Sequence, residues 1–557
     1  MGTRLSIYHP SGQLGLGANP FGKDVANLQL LQALARHGGF EQVDVLSASQ
    51  IADADLKAGL HGATEAATKL AWAPLLGVGA PKASGALLRG QPYIHELAWL
   101  RRRGGGDRAY SLLGLAHTLA PPAVREMMGA SLLAPCHPWD AIVCTSPSVQ
   151  DGLSRMFREL GEHLAARTGG RPPPQPALPI IPLGVHGEAL RAQADRPDVR
   201  AALRDELGLS ADDVLVLWVG RLSFFEKAFP QPMFKAVRRA AEVAGEGRKV
   251  VFALAGWFPN AGDRKSYAEA AAAYGGQVEI RFEDGNDHER LGRLWAGADI
   301  FLSLVDNIQE TFGITPLEAM ASGLPVVASD WDGYRFTVRD GEEGFLIPTL
   351  GGPKNGGLGA AIANRHVMGL ESYQTYVGAV AQHTAVHIGR CAEALAALIR
   401  SPKLRRRMGA AGRERVRSAF DWPVVAAQYR ELVEELARVR AAAAEPAPGV
   451  RLNPVKGDPF EDFAHFATEV LTLDTRLAAA PGMTAATVLD SEKVTLDRIY
   501  APLRAPVASC ARVIDLLNER GPMPVRDILL SFPQGERRNL ELALAWMAKH
   551  GFVDWLT

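Results

Sequence analysis

The feature that most constrains this chain is an alternation. Short apolar runs, many rich in β-branched residues and ended by Gly, Ser or Asp, recur between segments of helical spacing. They are AYSLLGLAHT, AIVCTS, LPIIPLGV, VLVLWVG, VVFALAG, VEIRF, DIFLSLV and PVVAS. A strand that is apolar at nearly every position has both faces buried, which marks a parallel sheet covered by helices. There are too many such runs for one comfortable sheet, so two α/β units are expected. The Arg- and Pro-rich stretch Ala165 to Pro176, with Leu178 to Val185 after it, reads as the passage between them. The second unit is expected from about Leu207 to Trp422. A length of 557 residues agrees, suggesting about three or four domains.

Composition narrows the function classes. The chain is 47% hydrophobic and 22% charged, the balance of a globular protein. Its net charge of -1 gives no global pull toward nucleic acid or anionic lipid. Cys136, Cys144, Cys391 and Cys510 are scattered without a C-x-x-C pair, which argues against structural zinc or a disulfide framework and suits a reducing cytosol. MGTRLSIYHP has no long apolar run, so no signal peptide is expected. No stretch approaches the ~18 apolar residues that a membrane span needs.

GANPFGKD, Gly17 to Asp24, is close to the phosphate loop G-x-x-x-x-G-K-[ST]. It follows a strand (RLSIYH) and precedes an amphipathic helix, the right context for an anion at a helix N-terminus. Asp24, however, stands where Ser or Thr should hold magnesium, and Pro20 removes one N–H from the cradle. The alternative is a tight turn capped by Asp24.

The strongest chemical signal is ETFGITPLEAMASGLPVV, Glu310 to Val327. DIFLSLV is the strand before it, and Gly313 permits unusual backbone angles in the loop. Thr315 is a good N-cap, Pro316 suits the first helical position and Glu318 completes a capping box. The helix N-terminus then lies at the carboxyl end of a parallel strand, where ligands bind in open α/β sheets. Its free N–H groups and positive dipole end suit a diphosphate. Glu310 and Glu318 flank that site and can accept hydrogen bonds from sugar or ribose hydroxyls. Structural readings compete: a capping box for Glu318, a solvated loop acid for Glu310.

The E-x7-E spacing followed by A-M-A-S-G-x-P-V-V resembles the retaining glycosyltransferases of family 4, which have the GT-B fold. Other segments fall in the same order. VGRLSFFEK (Val219 to Lys227) is similar to the family's G-R-L-x-K, with extra residues before the lysine. DAIVCTSPSVQDGL, LPIIPLGVH and FDWPVVAAQY resemble its D-x-V-x-x-x-S strand–helix, its I-P-x-G-V linker and its closing helix. The match runs from about Leu5 to Glu435. His186 departs from the usual aspartate, and DWDGYRFTV replaces the family's Gly-Gly and Pro-Glu.

The resemblance implies an α/β architecture of two Rossmann-like doubly wound domains facing a cleft. The N-terminal acceptor domain would span 1–187. The donor-binding domain would span 188–422, with an insert at about 350–388 in which Leu350 to Gly359 is loop and ESYQTYVGAVAQ a helix. A closing helix at 423–440 would pack back on the first domain. After a linker at 441–459, residues 460–557 would form a small, mainly helical module whose helix order resembles a winged helix.

The resemblance also implies roles. Glu318 would hold the donor's ribose and Glu310 the hydroxyls of its sugar. Thr311, Phe312, Gly313, Ile314 and Thr315 would meet sugar and diphosphate through their backbone. Arg221 and Lys227 would neutralise the leaving diphosphate, with no metal required; two surface cations after a strand is the competing reading. His117 matches the family's active-site histidine, against a packed strand-end histidine. Phe21, Gly22 and Lys23 would line the cleft, Phe21 replacing the first glycine of a Gly-Gly pair. The donor would be a UDP- or GDP-sugar and the acceptor a glycan, lipid-linked or protein hydroxyl. The location would be cytoplasmic, with peripheral attachment at the inner membrane face open. The Arg101–Arg103 run on the Leu76–Arg108 loops would meet a lipid phosphate or acidic glycan, or be a solvated charged loop.

Asp330 and Asp332, like Asp53 and Asp55, spell the D-x-D of metal-dependent glycosyltransferases, but a helix dipole and two cations already serve the phosphates. His383 and His387 share i, i+4 spacing without the glutamate of H-E-x-x-H and read as a solvated helix face. Two other functions stay open: a GT-B epimerase or phosphorylase, or a regulatory binding protein acting through the C-terminal module. Ala501 to Thr557 carries seven Lys or Arg and six Asp or Glu, so a protein partner or self-association suits it better than DNA.

Overall fold

The computed structural model describes residues 3–16, 22–64, 66–244, 247–354, 357–447 and 449–556. The chain divides into two compact units, Met1–Asn453 and Pro454–Thr557.

The first unit holds two six-stranded parallel sheets. β1 (Arg4–Tyr8), β2 (Gln42–Ser47), β3 (Lys69–Pro74), β4 (Ala86–Arg89), β5 (Ser111–Ala116) and β6 (Ala141–Cys144) are arranged β3-β2-β1-β4-β5-β6. β7 (Val214–Val219), β8 (Val250–Gly256), β9 (Glu279–Asp284), β10 (Ile300–Ser303), β11 (Val326–Ser329) and β12 (Gly344–Ile347) are arranged β12-β11-β10-β7-β8-β9. Both sheets have the doubly wound Rossmann order, reversing between β1 and β4 and between β7 and β10. Side chains alternate between two cores. From β7, Leu215 and Leu217 enter one, while Val214, Val216 and Trp218 enter the other. Burial on both faces is why these strands read as unbroken apolar runs.

Helix Trp422–Ala442 returns to the first sheet's domain, where Arg440 donates to the carbonyl of Gly85 at 2.7 Å and the hydroxyl of Ser111 at 2.5 Å. LPIIPLGV is not a full strand. Ala177 and Ile180 touch β6 through single bridges, and Val185 bridges to Asp421. The insert contains two helices, Leu358–Val367 and Tyr373–Ala381, closed by the short antiparallel pair β13 (Thr349–Leu350) and β14 (Ala385–Val386). β14 separates His383 from the helix Ile388–Arg400, which His387 caps, so the two histidines share no helix face.

The second unit carries the helices Ala485–Asp490, Val507–Arg520, Val525–Leu530 and Gln534–Lys549 around their own core. Its antiparallel sheet joins β15 (Arg476–Ala479), β16 (Met523–Pro524) and β17 (Val553–Leu556) in the order β16-β15-β17. The middle strand comes from ahead of the helices, not from a hairpin after them. No helix among the described residues is long and apolar enough to cross a membrane.

The Arg101–Arg103 run corrects the sequence expectation. It lies in the helix His95–Gly105, not in a loop. Arg101 is fully buried and forms a two-pronged pair with Asp140 at 2.6 and 2.9 Å, while donating to the carbonyls of Tyr110 and Pro135. Asp140 also accepts from the N–H groups of Leu112 and His137. Arg102 pairs with Asp107 at 2.6 Å. The guanidinium fork satisfies a carboxylate and two carbonyls that no water reaches. Arg101→Ala is expected to destabilise the protein by about 3–5 kcal/mol, because it leaves Asp140 buried and unpaired. Urea unfolding monitored by tryptophan fluorescence would show it.

Candidate active site

The carboxyl ends of β7 and β10 flank the reversal point of the second sheet, and the site is built on the loops that leave them. After β7, Arg221 pairs with Glu226, and its guanidinium lies over the Trp257 ring, 5.1 Å from the centroid. The loop makes one tight turn in which the Lys227 N–H donates to the Ser223 carbonyl at 3.0 Å. That turn sends Lys227 across to the loop after β10, where its Nζ meets Glu310 Oε2 at 2.8 Å.

Asn307, fully buried, holds the loops in register. Its Nδ2 donates to the Phe225 carbonyl at 2.5 Å, and its Oδ1 accepts from the Gln309 N–H at 2.8 Å. Its carbonyl accepts from Trp331 Nε1 at 3.1 Å. One side chain and its carbonyl thus join the loops that follow β7, β10 and β11. Asn307 escaped the sequence reading because a lone Asn in a loop carries no pattern.

The helix after the loop runs Ile314–Ala321 and begins earlier than expected. Its N-cap is Gly313, at φ 80°, without a side-chain cap, so Thr315 is not the N-cap and Glu318 closes no capping box. The cause is tertiary. A Cβ at Gly313 would strike the Tyr334 ring, and only glycine takes this left-handed angle without strain. Tyr334 is held by a 3.0 Å hydrogen bond between its hydroxyl and that of Ser303. Thr315 also shares a hydrogen bond with Tyr334. Phe312 turns into the core, its ring 6.2 Å from that of Phe420, so its backbone alone is available to a ligand. Ile314 is half-buried against the same core.

Glu318, released from capping, is half-buried and unpaired among the described residues. Burial pushes its carboxyl up to about 7. Burial also pushes Glu310 upward, but the Lys227 ammonium and the N–H groups of Phe312 and Thr311 outweigh it and hold that carboxyl below its usual range. One glutamate is therefore fixed as an anion and the other is poised to change charge near neutrality.

The first domain supplies the opposite wall. His117 follows β5, and its Nε2 lies 3.1 Å from the Gly90 carbonyl and 2.8 Å from Asn27 Oδ1. The carbonyl accepts only, which assigns the ring proton to Nε2 and leaves Nδ1 as the acceptor. Burial, aided by Lys23, lowers His117 to about 4 against the Gly90 carbonyl and Asp24, so the ring is neutral at pH 7. The Thr311 hydroxyl donates to the His117 carbonyl at 2.6 Å, joining the two domains. Gly22 and Lys23 open the helix Gly22–His37 and are exposed; they form its first turn and not a loop ahead of it. Phe21, with the rest of 17–21, lies outside the described residues. The D-x-D carboxylates diverge: Asp330 faces Arg335 at 3.0 Å, and Asp332 faces Ser146 at 3.1 Å. Asp53 and Asp55 lie in a short helix, Asp53–Leu56.

Residues 199–350, within the second Rossmann-like domain, match the family model described as Glycosyl transferases group 1. The chain is 38% identical over 165 residues to a phosphatidyl-myo-inositol mannosyltransferase of Mycobacterium leprae, covering 29% of this chain and 34% of that protein. It is 37% identical over 160 residues to a D-inositol 3-phosphate glycosyltransferase of Nocardia farcinica, covering 27% and 33%. The match thus spans about a third of the length of these two relatives. A solved structure of sucrose-phosphate synthase from Thermosynechococcus elongatus is similar at 21% identity and a TM-score of 0.46, covering 78% of this chain and 100% of that one.

The glutamates set a pH dependence. The Glu318 carboxyl, raised to about 7, sits above its unfolded value of about 4.3. Between those values the folded protein holds a proton that the unfolded chain has released. This group's contribution is therefore fully present below about pH 4.3 and is lost progressively as pH rises from there through about 7. His117, lowered to about 4, acts oppositely, losing stability as pH falls below about 6.5. The difference between Glu318→Gln and wild type isolates the first effect. The melting temperature of the variant is expected to match wild type near pH 4, to exceed it increasingly up to about pH 7 and to keep a constant advantage above that in scanning calorimetry.

Proposed function

We propose that this protein is a retaining glycosyltransferase that moves a sugar from a nucleoside-diphosphate sugar to an acceptor hydroxyl without a catalytic metal. The observation that carries this reading is the Lys227–Glu310 pair in front of the helix Ile314–Ala321, with Glu318 unpaired behind it. The N–H groups of that helix and the cations Lys227 and Arg221 form one anion-binding corner at the carboxyl ends of β7 and β10. A diphosphate seated there places the ribose toward Glu318 and the sugar toward Glu310 and His117. Neutral His117 keeps an acceptor nitrogen for a hydroxyl without repelling the nearby cations.

Transfer breaks the bond between the anomeric carbon and the β-phosphate oxygen. The acceptor oxygen bonds that carbon on the same face, and its proton passes to the departing phosphate oxygen. Charge grows on the diphosphate as the bond breaks, and Arg221 and Lys227 stabilise it there. Their partners Glu226 and Glu310 hold them in place beforehand, so little reorganisation is needed. Two relatives named for inositol compounds bearing a phosphate make a phosphorylated polyol or its lipid the first acceptor class to try. Such an acceptor would bring the enzyme to a membrane face.

Calorimetric titration with a panel of UDP- and GDP-sugars is expected to find one donor that binds equally with and without EDTA. Glu318→Ala should weaken that binding. Absence of any binding donor would overturn the reading. With the donor identified, Lys227→Ala or Arg221→Ala is expected to lower kcat by roughly 10²–10³-fold, the cost of losing one charge stabiliser. Proton NMR of the product should show the donor's anomeric configuration.

A further inference from the structure

Asp332 lies in the second Rossmann-like domain, in the loop after β11, yet its side chain bonds to the first. Its Oδ1 accepts from the Ser146 hydroxyl at 3.1 Å, and Ser148 gives its carboxyl a further hydrogen bond. Ser146 is fully buried and is the N-cap of the helix Pro147–Thr168, which has 22 residues. The Asp332 carboxyl is thus delivered by one domain to the N-terminus of a long helix in the other. Free N–H groups and the positive dipole end favour a carboxylate there.

The backbone points the same way. Asp332 has φ 38°, and among the described residues only Tyr500 is another non-glycine with positive φ. Glycine would take this angle without cost, whereas a side chain there is held against strain by its surroundings. The next residue, Gly333, packs on the backbone of Thr311 and Phe312. The strained turn therefore rests on the loop that carries Glu310. That loop makes the other cross-domain bond described above, from the Thr311 hydroxyl to the His117 carbonyl at 2.6 Å. Burial foremost, and then Glu310, raise the carboxyl of the half-buried Asp332, which lies close enough to the site to feel the Glu310 charge.

We infer that Asp332 is a positioning residue: by accepting from the Ser146 and Ser148 hydroxyls at the N-terminus of the helix Pro147–Thr168, it holds the two Rossmann-like domains in the closed arrangement that sets His117 against the Glu310 loop. The closure follows from the geometry alone, whereas its consequence for sugar transfer rests on the proposed function.

Spin labels read the closure directly. The four native cysteines are buried, so single cysteines introduced at the exposed positions Glu159 and Lys265, one in each domain, can be labelled selectively in the full chain. Pulsed dipolar spectroscopy on the ligand-free protein is expected to give one narrow distance. Asp332→Gly removes the carboxylate and the backbone strain together, so its melting temperature should not fall. Its distance distribution should broaden and lengthen. Asp332→Asn, which keeps an acceptor oxygen but no charge, should lie between it and wild type, and Ser148→Ala should shift in the same direction. Wild-type distributions in both Asp332→Gly and Ser148→Ala would overturn the inference. With the donor found in the calorimetric panel, Asp332→Gly should lower kcat at least tenfold while KM for the donor changes less. Failure of the whole panel would sink the transferase reading but leave the distance measurement to decide the closure.

Discussion

The candidate site depends on Asn307 being buried with its hydrogen-bonding capacity used on neighbouring loops. Three loops leave three parallel strands at this end of the sheet, and nothing in strand geometry fixes their spacing. Asn307 does so by donating to Phe225, accepting from Gln309 through its side chain, and accepting from Trp331 through its carbonyl. A buried amide is costly unless paired, so the arrangement that satisfies it is strongly selected over looser ones. The Lys227–Glu310 contact, the left-handed Gly313 and the Tyr334 ring against it are all placed within that frame.

Charge in the cleft is arranged so that cations are present but already paired. Lys227 faces Glu310 and Arg221 faces Glu226. A bare pair of cations in a half-buried site would repel each other and invite any anion. Paired, they are held in one geometry, and under the proposed function an incoming diphosphate would compete with those carboxylates for them. Across the cleft, His117 is kept neutral by burial, while Glu318 and Asp332 are raised toward neutrality for the same reason. The site thus combines fixed charges with groups whose charge depends on how much water the cleft holds.

Much of this was legible beforehand. β1, β5, β6 and β7 to β11 were marked by apolar runs, as parallel strands buried on their faces are, whereas β2, β3, β4 and β12 were not read as strands. The segment Glu310 to Val327 was marked by the glycine, proline and small residues that a strand–loop–helix junction needs. Where local rules failed, a tertiary contact had overridden them. Thr315 has every property of an N-cap, but Tyr334 packs on Gly313 and moves the helix start forward. LPIIPLGV has strand composition, but it serves as a crossover and makes only single bridges. Arg101 looked like surface charge because its neighbours are arginines and glycines, yet Asp140, far along the chain, gives it a buried partner.

The sequence by itself determined the two α/β units, the existence of a glycine-hinged helix N-terminus at a strand end, and the candidates Arg221, Lys227, Glu310 and Glu318. Those follow from periodicity and from residue types that act locally. Only the tertiary structure decided which charges meet, which glutamate is left unpaired, that Asn307 organises the loops, and that Asp332 reaches Ser146 in the other domain. The physical reason is that hydrogen bonds and ion pairs act over a few ångströms. Their partners in the candidate site lie as much as 194 residues apart in the chain, a separation that no local pattern encodes.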